Sequence, residues 1–274
     1  MSNTDTFDAT EVKKAIAASA FWKSIIYLEQ TGSTNDVARE MAAQGAPAGT
    51  IVVADEQTAG RGRLERRWLA PPYTCLLCSI LFRPGLPSSH LNRLTMLCSM
   101  AAADAIEQVA SLPVALKWPN DLLVRSKVAG PPTPEWRKLA GVLTEAVLTG
   151  DGSHCVVVGI GINVNVHCDA LPDLALDATS ILAETGRPVD REDLLADLLS
   201  LVERRHEKLQ RGENPGKEWS ERLVTLGQRV RVATAEGLFE GVAEAVDEGG
   251  ALLLRTADGS IERFLAGDVT LSAD

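Results

Sequence analysis

Residues 60–68 read Gly-Arg-Gly-Arg-Leu-Glu-Arg-Arg-Trp, a run that sets four arginines within an otherwise acidic chain. Its glycines free the backbone for dihedrals that other residues avoid, and planar guanidinium forks suit phosphate or carboxylate oxygens. The segment could clamp phosphates, hold nucleic acid or form a solvated turn, and by itself it leaves all three open. A second cluster, Lys117-Trp118-Pro119-Asn120-Asp121, gathers an ammonium, an amide and a carboxylate where an apolar run ends. That trio has the makings of a site, yet Pro-Asn-Asp is equally good turn chemistry. Ser33-Thr34-Asn35 offers two hydroxyls and an amide at a helix start, where Ser33 with Asp36 matches a capping box and the same groups can face a ligand. Lys138 opens an apolar run, the usual setting of a snorkelling surface charge.

The elements that must position these groups follow from apolar periodicity. Strands are predicted at 22–28, 50–54, 75–82, 114–116, 122–124, 138–145 and 156–166, and helices at 36–43, 88–109, 190–210 and 217–223. The arginine run is then a loop that follows the strand at 50–54 and is ended by Ala70-Pro71-Pro72. Gly159 and Gly161 interrupt a β-branched run, which weakens a strand unless something approaches its backbone closely, so they mark a pocket floor. They are no dinucleotide fingerprint, because no third glycine opens a helix. Residues 127–137, with Gly130, Pro131, Pro132 and Pro134, read as a surface insertion. Beyond Gly227, strands at 229–233, 239–246, 251–256, 261–265 and 269–271 alternate with Glu236-Gly237, Glu248-Gly249-Gly250 and Asp258-Gly259 turns, which predicts a small closed barrel.

Composition narrows the functions available. A chain of 274 residues can bury one large core and a smaller one. Its 37 acidic and 27 basic side chains give a net charge of −10, which argues against a surface built throughout for nucleic acid. No apolar run approaches the ~20 residues of a membrane span, and the opening Met-Ser-Asn-Thr-Asp-Thr has no signal pattern, so a soluble, cytoplasmic protein is expected. Five cysteines, an odd number, fit a reducing compartment better than a disulfide framework. Cys75 and Cys78 form a C-x-x-C, but residues three apart on a strand face opposite ways and do not easily share a metal. His90, His154, His167 and His206 have no ligand spacing.

Taken together, Ser33-Thr34-Asn35, residues 57–68, Lys117 to Asp121, residues 138–145 and residues 159–165 resemble, in this order, the motif set of biotin protein ligases. The likeness spans residues 22–274, since the C-terminal strands are similar to that family's last domain. It implies an α+β fold: a mixed β-sheet flanked by helices, akin to class II aminoacyl-tRNA synthetases, then a small SH3-like β-barrel. The divisions expected are a polar segment at 1–20, a ligase domain at 21–225 and the SH3-like domain at 226–274. The implied activity joins biotin to ATP, giving biotinyl-5'-AMP, and then passes biotin to a lysine of a biotin carboxyl carrier protein or domain, with Mg²⁺ as cofactor.

By that resemblance Arg63 and Arg66 act on phosphates, Lys117 and Asn120 serve nucleotide or metal, and Asp121 is the candidate metal-side carboxylate. Lys138 holds the biotin carboxylate and its acyl-phosphate product, while Ser33, Thr34 and Gln57 bond the ureido ring. Gly159 and Gly161 let the ring lie against the strand. Asn35, Gly60, Arg61, Gly62 and Arg63 complete the biotin set, and Trp68 and Asn163 the ATP set. The chain departs from bifunctional members in lacking an N-terminal DNA-binding domain, because about 20 residues cannot hold a helix-turn-helix unit, so no DNA partner is expected. No membrane partner is expected either, and a homodimer is left open. A lipoate or octanoate ligase on the same fold is disfavoured by the Gly-Arg-Gly-Arg loop and Gln57. A non-catalytic nucleic-acid binder is disfavoured by the net charge of −10, and a biotinylated carrier by the absence of a methionine-flanked lysine.

Overall fold

The computed structural model describes residues 6–125, 135–148, 154–167 and 178–271. Seven apolar runs pair into one sheet: β1 (Ser24–Thr31), β2 (Thr50–Gln57), β3 (Cys75–Phe82), β4 (Ala115–Lys117), β5 (Asp121–Arg125), β6 (Trp136–Leu148) and β7 (His154–Asn163), in the order β1-β2-β3-β7-β6-β5-β4. β1 and β2 are parallel and the remaining neighbours antiparallel, so the sheet is mixed, as expected. β3 lies between β2 and β7 and is buried at every position, which is why its run shows no polar alternation.

Helices cover both faces: α1 (Ala9–Ile16), α2 (Thr34–Ala43), α3 (Asn92–Ala110), α4 (Ile181–Thr185), α5 (Arg191–Gln210) and α6 (Gly216–Glu221). Ala38 and Ala42 of α2 pack on Val52, Leu81 and Val157, on one side of the sheet. Cys78, Ile80 and Phe82 point to the other side, into the core shared with α3 and α5. The strand period of two thus separates Cys78 from Cys75, which belongs to a different cluster with Leu77 and Val166. The Cys78 thiol is free, and burial pushes its pKa up to about 12. The expected helix at 88–109 is a short turn at Ser88–His90 followed by α3, which is buried nearly all round rather than amphipathic because it fills the space between sheet and α5.

α5 begins at Asp190, whose carboxylate accepts from the Glu192 and Asp193 amides. Its first residue, Arg191, reaches through the core to Asp55 Oδ1 at 2.6 Å, and the Tyr27 hydroxyl donates to Asp55 Oδ2 at 2.6 Å. This buried pair fixes the end of β2 just before Gln57, and removing one partner alone would be costly. Among the described residues no helix is long and apolar enough to cross a membrane.

The second sheet holds β8 (Arg229–Thr234), β9 (Gly237–Val246), β10 (Leu252–Arg255), β11 (Ile261–Phe264) and β12 (Asp268–Leu271), ordered β11-β10-β9-β8-β12 and antiparallel throughout. No ladder joins β11 to β12 among the described residues, so the expected closed barrel is an open sheet. A register shift opposite Leu253 and Leu254 bends it without pairing its edges. Trp118, fully buried, ties the two sheets together by donating its indole N–H to Gly250 O at 2.9 Å. The proline-rich insertion falls mainly on 126–134, outside the described residues, while Trp136 and Arg137 already belong to β6.

Candidate active site

An open cleft of about 870 Å³ lies where β2, β3, β7, β6 and β5 meet the start of α2 and the arginine loop. One wall is built by the first turn of α2. The Thr34 amide and hydroxyl both reach Gln57 Oε1, at 2.7 and 3.0 Å. A backbone N–H can only donate, so the Gln57 oxygen must face α2 and its Nε2 donors are left for the cleft. Asn35 Nδ2 donates to Glu145 Oε2 at 2.6 Å, and Asn35 Oδ1 accepts from the Ser79 hydroxyl at 2.6 Å. Ser33 has the extended backbone of an N-cap but makes no capping bond, and Asp36 is taken by Arg39 at 3.3 Å and Arg61 at 2.5 Å. The expected capping box is therefore absent: charge-assisted partners displace the weaker backbone bond, and the Ser33 hydroxyl faces the cleft.

The loop folds back on itself as a small hairpin. Trp68 N–H donates to Gly60 O at 2.9 Å and Gly62 N–H to Arg66 O at 2.6 Å, with a 3-10 turn at Arg63–Glu65 as the tip. Leu64 at that tip adopts φ 52 and is 60% exposed, an uncommon arrangement for a bulky apolar residue. The Trp68 indole lies in a slot between Gly161 of β7 and Gly141 of β6, which are register partners. A Cβ on Gly161 would come within 2.7 Å of the indole, and one on Gly159 within 2.3 Å of Asn35 Oδ1. The two glycines do line the cleft, but the space they leave is taken by Trp68 and Asn35 rather than by bare access to the strand.

Lys138 reaches the cleft because of a bulge. Across β5, Ala140 pairs with Leu122 and Lys138 with Leu123, so Leu139 is the extra residue and the alternation shifts by one. Lys138 thereby joins Gly141 on the cleft face, with its Nζ 2.6 Å from Asp121 Oδ1 and 5.6 Å from the Trp68 ring centroid. Arg63 meets Asn120 Oδ1 at only 3.4 Å and has no ion-pair partner among the described residues. Burial lowers the pKa of Arg63, while Asp121 and Asp268 work against that shift. A desolvated cation next to an open cleft is a seat for an anion. Arg66 is held by Asp268 at the start of β12, so the second sheet supplies part of the wall.

Of the residues expected from sequence, Ser33, Thr34, Asn35, Gln57, Arg61, Gly62, Arg63, Arg66, Trp68, Asn120, Asp121, Lys138, Gly159 and Gly161 come together at this cleft. Three do not line it. Gly60 closes the loop against Trp68, Lys117 sits on β4 beyond its partner Asp121, and Asn163 is buried with its Nδ2 donating to Thr179 O at 2.9 Å. Asp268, Glu145, Ser79 and Gly141 contribute without having been singled out as site residues. Ser79 and Glu145 carried a signal, each a polar residue in a mainly apolar run.

Comparison with known proteins bears on what this cleft does. The biotin/lipoate A/B protein ligase family matches residues 27–163, and the biotin protein ligase C-terminal domain matches residues 225–272. The Bacillus subtilis bifunctional ligase/repressor BirA is 34% identical over 265 residues, covering 96% of this chain and 78% of that protein. The chain belongs to the biotin/lipoate protein ligase family. A second relative of this ligase-family chain, the Mycobacterium tuberculosis biotin–acetyl-CoA-carboxylase ligase, is 33% identical over 262 residues, 93% of this chain and 91% of that one. The solved biotin protein ligase from Aquifex aeolicus in complex with biotin and ATP matches with a TM-score of 0.76 at 29% identity, covering 92% of this chain and all of the other.

Proposed function

We propose that this family member is a biotin protein ligase: it joins biotin to ATP, releasing pyrophosphate, and transfers the biotinyl group from biotinyl-5'-AMP to a lysine of a carboxylase's biotin carboxyl carrier protein. One observation carries the reading. A polar wall with outward amide donors at Gln57 faces a cationic wall at Lys138, Arg63 and Arg66 across a single cleft. The first suits a ureido ring, whose carbonyl needs donors once it leaves water, and the second suits a carboxylate meeting a phosphate.

Adenylation brings two anions together, so the groups that tolerate their approach dominate the energetics. Lys138 would exchange Asp121 for the biotin carboxylate and hold its oxygen as it attacks the α-phosphate. Arg63 and Arg66 would take phosphate oxygens, with Asn120 orienting Arg63. Mg²⁺ needs few protein ligands when phosphates supply the others, and Asp121 with Asn120 offers hard oxygens for it, even though no cluster of three acidic, histidine or cysteine ligands exists among the described residues. Bound there, the ion would neutralise phosphate charge. The subsequent attack by a carrier lysine needs the mixed anhydride kept from water, a task for the loop and Trp68.

Residues 21–225 act as the ligase unit and 226–274 as a companion that reaches the cleft through Asp268. We place the protein in the cytoplasm, in keeping with its odd number of cysteines, five in all. Incubation with ATP, biotin and a purified carrier domain should add one biotinyl group to the carrier by intact mass, and an unmodified carrier would contradict the reading.

Two further outcomes are expected. Trypsin should cut at Arg61, Arg63, Arg66 and Arg67 early in the ligand-free protein, because clustered guanidinium groups repel until anions arrive, and biotin with ATP should suppress that cutting more than either alone. Equal cleavage with and without ligands would mark the loop as a static turn. A gel-shift at physiological salt should show no sequence-selective DNA binding with or without biotinyl-AMP, given the net charge of −10, and nanomolar selective binding would overturn that.

A further inference from the structure

Ser79 is fully buried in the middle of β3, a polar residue in a run that is otherwise apolar. It is paired with Val52 on one side and Gly159 on the other, and it points toward the first turn of α2. Its hydroxyl is 2.6 Å from Asn35 Oδ1 and 2.7 Å from Thr34 Oγ1, and both of those residues are themselves buried. The protons in this group have little choice. Glu145 accepts from Asn35 Nδ2, so Asn35 must turn its oxygen to Ser79, whose hydroxyl donates to it and to Thr34 Oγ1. The Thr34 hydroxyl in turn donates to Gln57 Oε1 at 3.0 Å, beside the Thr34 amide N–H at 2.7 Å, so the Ser79 hydroxyl is the donor to Thr34 Oγ1.

We infer that Ser79 is a positioning residue for ligand selection: through Thr34 and Asn35 it holds the first turn of α2 against the Gln57 oxygen, and so keeps this wall of the cleft a hydrogen-bond donor to a cyclic urea. The inference rests on the ligase reading above and extends it to a residue that touches neither substrate. Loss of the hydroxyl leaves Asn35 Oδ1 and Thr34 Oγ1 each short of a partner in a dry place, and the α2 turn relaxes away from Gln57. None of the hydrogen-bond partners of Ser79 is a cation of the cleft, so the nucleotide side is not engaged.

The test is steady-state pyrophosphate exchange on Ser79→Ala and on the equal-volume pair Ser79→Thr and Ser79→Val. Ser79→Ala should raise the KM for biotin about tenfold, in line with one buried hydrogen bond, with the KM for ATP and kcat within about twofold. Ser79→Thr should bind biotin better than Ser79→Val, because the two differ only in the hydroxyl. An unchanged biotin KM, an equal rise in both KM values, or Thr no better than Val would overturn the inference. If the Thr and Val variants do not fold, the Ala variant decides by the same criteria. Exchange that the unsubstituted protein does not perform with biotin would instead overturn the ligase reading, a separate result.

Discussion

Lys138→Ala should cost about 2–4 kcal/mol of transition-state stabilisation in adenylation, a fall of roughly 30- to 900-fold in kcat/KM for biotin. The bulge at Leu139 turns this side chain onto the cleft face, beside the Trp68 indole and within 2.6 Å of Asp121. Its removal leaves the biotin carboxylate without the cation that offsets its approach to the phosphate, and leaves Asp121 repelling both. Stability should change little, because the Lys138–Asp121 pair is partly solvated, with side chains 36% and 18% exposed, and such pairs contribute at most about 1 kcal/mol. A thermal midpoint near that of the parent with activity within twofold would return Lys138 to an ordinary solvated strand residue.

Gly159→Ala should raise the KM for biotin by about tenfold or more and cost about 1–3 kcal/mol of stability, because a methyl group is forced into filled space. The new Cβ would lie 2.3 Å from Asn35 Oδ1 and 2.9 Å from Asn35 Cγ, and Asn35 cannot swing aside without leaving both Glu145 and Ser79. The same substitution at Gly186 serves as a contrast: there a positive φ of 71 is the only strain and no atom lies within 4 Å, so stability should fall without a change in biotin KM. Equal biotin KM values for Gly159→Ala and the parent protein would show that Asn35 can move freely.

The strands were readable because their apolar periods differ so clearly from those of the helices. β3, with no polar alternation apart from Ser79, announced a buried strand, β2 and β6 followed from apolar runs, and β7 from a β-branched one. The motif residues were readable as a set through their resemblance, in order, to the motifs of biotin protein ligases, and the cations among them also stand out in an acidic chain. Other features depended on geometry that no local pattern carries. The bulge that reverses Lys138 is a matter of register with β5. Asp268 meets Arg66 from 202 residues away. The capping box at Ser33 failed because Arg61, on another loop, captures Asp36. Gly161 was legible as a site of close approach, but only the folded loop reveals that Trp68 is what approaches. The expected barrel closure failed for a similar reason, since turn signals fix strand number and leave edge pairing to tertiary packing.

The central claim is that this cleft activates biotin with ATP, and ATP–pyrophosphate exchange measured with biotin, with lipoate and with no acid tests it most directly. Exchange should appear with biotin, remain near background with lipoate and be absent without an acid. Exchange supported by lipoate and not by biotin, or by no acid at all, would contradict the account.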